Sequence, residues 1–437
     1  MDIKELYEIF SEHPEVTTDS RNCPAGALFF ALKGSSFNGN LFASQALASG
    51  AAYAIVDEAD VIPAEGDKRY ILVPDVLKTL QALAHCHRKQ FHGPVIEITG
   101  TNGKTTTKEL LTAVLSKKYN VLSTLGNLNN HIGVPKTLLR IKPFFHHIAV
   151  VETGANHPGE IAFLANIVDP DCGLITNVGR AHLEGFGSFK GVCQTKGELY
   201  DYLRKKNGGF IFLNTDNPYL QEMAQGLVTL NYGEPGNGEK MVEGEVLGCN
   251  PFLTLRWRKG HTGTWHITET HLIGAYNLQN ALAAACAGIR YGVTENDITE
   301  ALSAYIPKND RSELRITPRN RLVVDAYNAN PSSMTEAIKN FSLITGEHKM
   351  VILGDMKELG SASEEEHQKI IDMLQQQEDV EMVWLVGENF MQTKSPFRCF
   401  TDVEEVKKEL AGHPLSGHLI LIKGSNGTRL YQLPELL

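Results

Sequence analysis

The stretch Ile98-Thr99-Gly100-Thr101-Asn102-Gly103-Lys104-Thr105-Thr106 follows an apolar run, Val95–Thr99, and opens a segment with helical spacing that reaches about Lys118. A strand, a glycine turn and a helix in that order aim several backbone N–H groups at one point, and the helix dipole adds partial positive charge there. Gly100 and Gly103 permit close backbone approach. Lys104 is placed to pair β- and γ-phosphate oxygens, and the Thr105 hydroxyl to ligate Mg²⁺. The spacing is GxxGK[ST], two residues shorter than the common GxxxxGK[ST] loop. A glycine-rich turn without a ligand is the alternative. The complete strand–loop–helix context favours a nucleotide.

Outward from this loop the chain alternates short β-rich runs with helices. The strands expected are Val95–Thr99, His147–Glu152, Gly173–Asn177 and Phe210–Asn214. Such alternation predicts a parallel sheet covered on both faces. A polar, glycine-rich insertion is expected at 233–248, then hairpin-like strands up to His271 and a helix at Asn277–Tyr291 that packs back. On the N-terminal side, strands Leu28–Leu32, Ala54–Val56 and Tyr70–Val73 mix with helices Leu41–Ser49 and Leu77–Gln90, and His92-Gly93-Pro94 breaks the chain. On the C-terminal side, a linker is read at 306–310. Strands then recur at Leu322–Asp325, Lys349–Leu353, Met382–Val386 and Leu419–Ile422. The run Glu364-Glu365-Glu366 reads as a solvated helix N-terminus. The expected fold class is therefore α/β in three domains: a mixed α/β domain (1–92), a central P-loop domain on a parallel sheet (93–308) and a doubly wound, Rossmann-like domain (309–437).

Composition sets the boundaries of function. The 437 residues include 42% hydrophobic and 21% charged ones, ordinary for a globular protein with several cores. The net charge of -10 argues against nucleic acid or any general polyanion as partner. The N-terminal residues interleave charges and carry no apolar signal core, and the most apolar stretch, 272–289, contains Asn277, Gln279 and Asn280. Neither export nor a membrane span is expected. Seven scattered cysteines without a CxxC pair fit reduced thiols in a cytoplasmic enzyme.

The loop Gly100-Thr101-Asn102-Gly103-Lys104-Thr105-Thr106 resembles the nucleotide loop of the Mur ligase family. Further segments match that family in order: Gly126-Asn127-Leu128-Asn129-Asn130, Glu152-Thr153-Gly154-Ala155-Asn156-His157, Ala181-His182-Leu183-Glu184-Gly185, Lys196-Gly197-Glu198, Asp325-Ala326-Tyr327-Asn328-Ala329-Asn330-Pro331 and Gly354-Asp355-Met356-Lys357-Glu358-Leu359-Gly360. The resemblance covers essentially the whole chain. It implies an ATP-dependent ligase acting in peptidoglycan precursor synthesis. ATP would phosphorylate the terminal carboxylate of UDP-N-acetylmuramoyl-tripeptide, and the amine of D-alanyl-D-alanine would attack the acyl phosphate. The first domain would take the uridine nucleotide, with Ser20, Arg21, Lys33 and Gly34 as its substrate contacts. Asn129 and Asn130 would touch substrate from the central domain. A monomer is expected.

The residues suit that chemistry. Glu152 ends an expected buried strand, where α/β proteins present their sites, and with Thr105 offers oxygen ligands for Mg²⁺. A strand-end carboxylate capping the next loop is the bland alternative. His182 is assigned by the resemblance to a second Mg²⁺, an unusual ligand for a hard ion. Lys196 falls inside an apolar stripe formed by Val192, Leu199, Tyr200 and Leu203 if 189–203 is helical. A buried lysine pairs or loses its charge. The family's solution is carbamylation by CO₂, and a snorkelling stem is the alternative. Asn277 matches an adenine contact or caps its helix. Arg311 matches an arginine near the γ-phosphate, or is a surface residue. Asp325 would bind the ATP ribose, with Tyr327 and Asn328 flanking the nucleotide, so that ATP lies between two domains that close on it. Lys423 and Ser425 would grip a substrate carboxylate, or form a plain C-terminal turn. The sequence departs from the family at Phe37-Asn38-Gly39-Asn40, at Val324 and at Asn426, where Arg429 would compensate. Three rivals remain. A tripeptide-forming sibling would carry Asp-Asn-Pro-Arg in the last domain, whereas Asp216-Asn217-Pro218 is followed by Tyr219 in the central one. A folylpolyglutamate-type ligase lacks the uridine-type N-terminal segment. A nucleotide-gated binding protein would not need two metal positions or Lys196.

Overall fold

The computed structural model describes residues 2–236, 238–307 and 311–437. Three sheets organise them. The first has four parallel strands in the order Val16–Thr17, Leu28–Phe30, Tyr53–Val56, Tyr70–Leu72. The last has six strands, of which only Glu313–Ile316 runs antiparallel to its neighbour, Arg321–Asp325. Its centre is Leu419–Lys423 between Arg321–Asp325 and Lys349–Gly354.

The central sheet has nine strands. Val95–Thr99 lies between Ile148–Glu152 and Cys172–Ile175, parallel to both, and all five of its residues are buried. Being covered on both faces explains its apolar run. Ile96 and Ile98 face a core shared with the helices Lys104–Leu115 and Asn277–Arg290. Truncating Ile98 to Ala there would cost about 2–5 kcal/mol. The opposite face is covered in part by the helix Phe189–Lys205, started by Ser188, whose hydroxyl accepts from Gly191 N at 3.1 Å.

Two expectations need correction. The segment 233–248 is not an insertion apart from the sheet. Val242–Cys249 begins inside it and pairs parallel with Val228–Gly233, and Phe252–Lys259 and His266–Ile273 extend the same sheet antiparallel. The acidic run does start a helix, Ser363–Leu374, but Glu366 is buried and not solvated. Its carboxylate receives Arg180 at 3.0 Å and Lys369 at 2.9 Å. The expected linker 306–310 falls partly outside the described residues. No helix among the described residues is long and apolar enough to cross a membrane.

Candidate active site

The C-terminal ends of the central strands open onto a cavity of about 1160 Å³ that also reaches the six-stranded sheet. Gly100 and Gly103 both have positive φ, 143° and 77°. A Cβ on Gly100 would stand 2.0 Å from Thr176 Oγ, so only glycine fits that turn. The loop is braced from the next strand's end. Thr101 N donates to Asn177 O at 2.9 Å, Asn102 N to Asn177 Oδ1 at 3.0 Å, and Thr176 Oγ to Asn102 O at 2.6 Å. Lys104 folds back on the loop, its ammonium donating to Gly100 O at 2.8 Å and Thr101 O at 3.0 Å. Burial pushes its pKa below the usual lysine value.

Thr105 and Glu152 meet behind the loop. Thr105 Oγ donates to Glu152 Oε2 at 2.9 Å and Asn129 Nδ2 to Glu152 Oε1 at 2.8 Å, while Glu152 N donates to Thr124 Oγ at 3.0 Å. Glu152 is 1% exposed and Thr105 2%. One carboxylate and one hydroxyl side by side suit Mg²⁺, which keeps waters and takes its remaining ligands from substrate phosphates. Among the described residues no group of three or more His, Cys, Asp or Glu forms a self-sufficient metal cage. Asn130 Oδ1 accepts from Ile132 N at 3.1 Å and Gly133 N at 2.8 Å, where the chain enters the helix Gly133–Leu138.

The stripe around Lys196 is as expected: Val192, Leu199, Tyr200 and Leu203 are at most 1% exposed and Lys196 itself 2%. Its Nζ lies 3.4 Å from Ala155 O and 5.4 Å from the centre of the Phe186 ring. Burial first, then the nearby Lys104 charge, lower its pKa to about 7. Lys196 sits beneath Ala155, which lines the cavity, and not on the wall itself. His182 is on the wall and pairs through Nδ1 with Glu358 of the Gly354–Gly360 segment. That contact is the first cause holding the Glu358 carboxyl below its usual range.

The far side of the cavity comes from the last sheet and its approach. The Arg311 guanidinium stacks on the Tyr327 ring at 3.8 Å. Lys423, 1% exposed, donates to Asp325 Oδ2 at 2.6 Å and to Asn328 O at 3.2 Å. Asn277 is buried below, where Nδ2 donates to Ile273 O at 2.8 Å, so it caps nothing through its side chain. Thr106 also faces the cavity. Ser425 does not. Its hydroxyl accepts from Lys357 N at 3.1 Å and reaches Ala329 O at 3.4 Å. Ser20, Arg21, Lys33 and Gly34 also stand away from the cavity wall. Arg21 pairs with Asp19 at 2.9 Å, and Lys33 with Asp57 and Glu58 at 2.9 and 2.8 Å. Asn40, in the segment that departs from the family, is buried and binds Asp57 at 2.8 Å.

Sequence reasoning gave no role to several residues that join the two halves. Asn330 Nδ2 donates to Asn102 Oδ1 at 2.7 Å, and Arg180 N to Ser332 Oγ at 3.1 Å. Only the position of Asn330 in the Asp325–Pro331 segment could have drawn attention to it.

Residues 98–288 match the Mur ligase middle domain, 310–426 the Mur ligase, glutamate ligase domain, and 14–88 the Mur ligase family, catalytic domain. The chain belongs to the Mur ligase family. This Mur ligase is 34% identical, over 96% of its length and 92% of the relative's, to the UDP-N-acetylmuramoyl-tripeptide–D-alanyl-D-alanine ligase of Bacillus subtilis. Its structure superposes on MurF from Acinetobacter baumannii with a TM-score of 0.84 at 30% identity, covering 96% and 92% of the two chains. MurF ligase from Thermotoga maritima in complex with ADP gives 0.83 at 28% identity, covering 97% and 96%.

Proposed function

We propose that this Mur ligase uses ATP to join D-alanyl-D-alanine to UDP-N-acetylmuramoyl-tripeptide. The observation that carries the reading is one cavity in which the loop residues 101–106, the Thr105–Glu152 pair and the Asp325–Lys423 pair face each other, on a chain similar over 96% of its length to ligases of that name. Loop N–H groups and Lys104 hold the β- and γ-phosphates, Asn277 lies toward the adenine, and Asp325 with Tyr327 and Asn328 flanks the ribose. A carboxylate oxygen of the tripeptide attacks the γ-phosphorus and ADP leaves. The dipeptide amine then attacks the acyl carbon and inorganic phosphate leaves. Arg311 and Lys104 supply fixed positive charge where the transferring phosphoryl group gathers negative charge. Contacts from both halves of the cavity exclude water, protecting the acyl phosphate from hydrolysis.

Thr105 and Glu152 would hold one Mg²⁺, and His182 with a carbamylated Lys196 a second, neutralising phosphate charge. Carbamylation suits Lys196 because the neutral amine is the form that reacts with CO₂ and a pKa of about 7 leaves much of it neutral. Product mass spectrometry with D-alanyl-D-alanine against single amino acids tests the reading. The dipeptide adduct alone is expected. Equal ligation of single amino acids, or phosphate release that does not need the dipeptide, would refute it.

A further inference from the structure

Among the described residues six non-glycine ones have positive φ; His182 and Glu358 are two of them, at 50° and 62°, and they face each other across the boundary between the central and six-stranded sheets. Left-handed backbone at a non-glycine residue is strained and persists where surrounding contacts over-determine it. Those contacts are present. Glu184 N donates to Glu358 O at 3.2 Å, and Gly360, at φ 54°, packs against the Glu184 side chain. Arg180, two residues before His182, reaches Glu366 of the helix that follows the Glu358 segment. The carboxylate is therefore delivered to the imidazole by backbone docking and not by a wandering side chain. Nδ1 is the buried ring nitrogen; it has no hydrogen bond of regular geometry among the described residues, and the group set against it is the Glu358 carboxylate, as an ion pair. The ring lines the cavity, so the nitrogen presented there is Nε2.

We propose that Glu358 is a positioning residue that fixes the His182 tautomer with the proton on Nδ1, so that Nε2 offers its lone pair to a divalent cation only when the C-terminal sheet is docked. A carboxylate behind a histidine ligand sets its orientation and raises its basicity. Here that carboxylate belongs to the other half of the cavity. Assembly of the second cation position is thereby tied to domain closure, and an open enzyme would hold the ion weakly. The inference rests on the proposed function for the cation position at His182.

The test uses the full chain with Glu358→Ala and the isosteric Glu358→Gln. In ¹⁵N-histidine spectra of the wild type, assigned with His182→Gln, His182 is expected as the Nδ1–H tautomer. In Glu358→Ala the Nε2–H form should appear. Mn²⁺ titration in the presence of ADP, followed by electron paramagnetic resonance, should show the weaker cation site losing about 10- to 100-fold in affinity in Glu358→Ala. Glu358→Gln, whose amide oxygen still accepts from Nδ1, should fall between. An Nε2–H tautomer in the wild type, or a tautomer and a Mn²⁺ affinity unchanged in Glu358→Ala, overturns the proposal. Neither readout needs the peptide substrates, so a failed ligation assay does not decide it. Normal wild-type ligation with unmoved Mn²⁺ affinity sinks this inference alone.

Discussion

Glu97 sits at the middle of the strand that carries the phosphate loop and is wholly buried. Its Oε1 accepts from Thr153 Oγ at 2.8 Å, and its Oε2 has no partner among the described residues. Burial pushes its carboxyl up from an ordinary 4.5 to about 8. Between those values the folded protein keeps a proton that the unfolded chain gives up. Stability should therefore fall as pH rises from about 4.5 to about 8 and be flat beyond. The gap corresponds to about 5 kcal/mol at most. Glu97→Gln removes the charge that must be buried and keeps an oxygen for Thr153. The variant should match the wild type near pH 5 and melt above it near pH 8.5, by on the order of 10 °C for a domain of roughly 200 residues. Because several sheets need not unfold together, the transition is best followed through Trp257 and Trp265, both in the nine-stranded region, in a Trp384→Phe background. A difference in Tm that stays constant from pH 5 to pH 8.5 would refute the reasoning.

Other perturbations separate the parts of the site. Gly100→Ala drives a Cβ to 2.0 Å from Thr176 Oγ at a φ of 143°, and calorimetry should find ADP affinity reduced at least about 100-fold, about 3 kcal/mol. Lys196→Ala should abolish ligation while leaving ADP binding within about twofold, a loss of under about 0.5 kcal/mol, and Lys196→Arg should not restore it. With a pKa of about 7, Lys196 is increasingly protonated below that pH, so a ¹³CO₂-derived carbamate signal should fade on the acid side and persist on the alkaline side. Asn330→Ala removes the hydrogen bond to Asn102. Steady-state kinetics should show KM for ATP raised about fivefold, near 1 kcal/mol, with kcat little changed.

What the sequence revealed follows from where the signals are local. Val95–Thr99 and Phe210–Asn214 match the observed strands residue for residue, since strands buried on both faces are dominated by apolar residues, with Glu97 the charged exception. The stripe around Lys196 was legible because helical spacing alone brings its members together. Val121–Ser123 escaped notice because three residues carry no periodicity, and Val242–Cys249 because two glycines and the acidic Glu243 and Glu245 interrupt its apolar pattern. The burial of Glu366 was illegible for a different reason: its partner Arg180 lies 186 positions away, and no local pattern encodes it. The same holds for Asn102 with Asn330 and for His182 with Glu358. Nor could local sequence show that folding places Asp57 and Glu58 beside Lys33.

The two boundaries between sheets differ in kind. Leu6, Phe10 and Phe30 of the first part share one apolar core with Leu138, Val151 and Leu164 of the central part. Opening that boundary would expose a large apolar area, at roughly 25 cal/mol for each Å². At the other boundary only a few central side chains, among them Ile273, Leu183 and Phe252, reach the core of the six-stranded sheet. The remaining contacts named here are polar: Asn102–Asn330, Arg180–Glu366, Arg180–Ser332 and His182–Glu358. Polar contacts exchange for water at a net cost of about 1 kcal/mol each. The second boundary is therefore the less firmly held of the two, and it is the one that crosses the phosphate loop. On the proposed mechanism, the cleft that would admit a nucleotide and close over an acyl phosphate lies where the chain's cohesion is weakest.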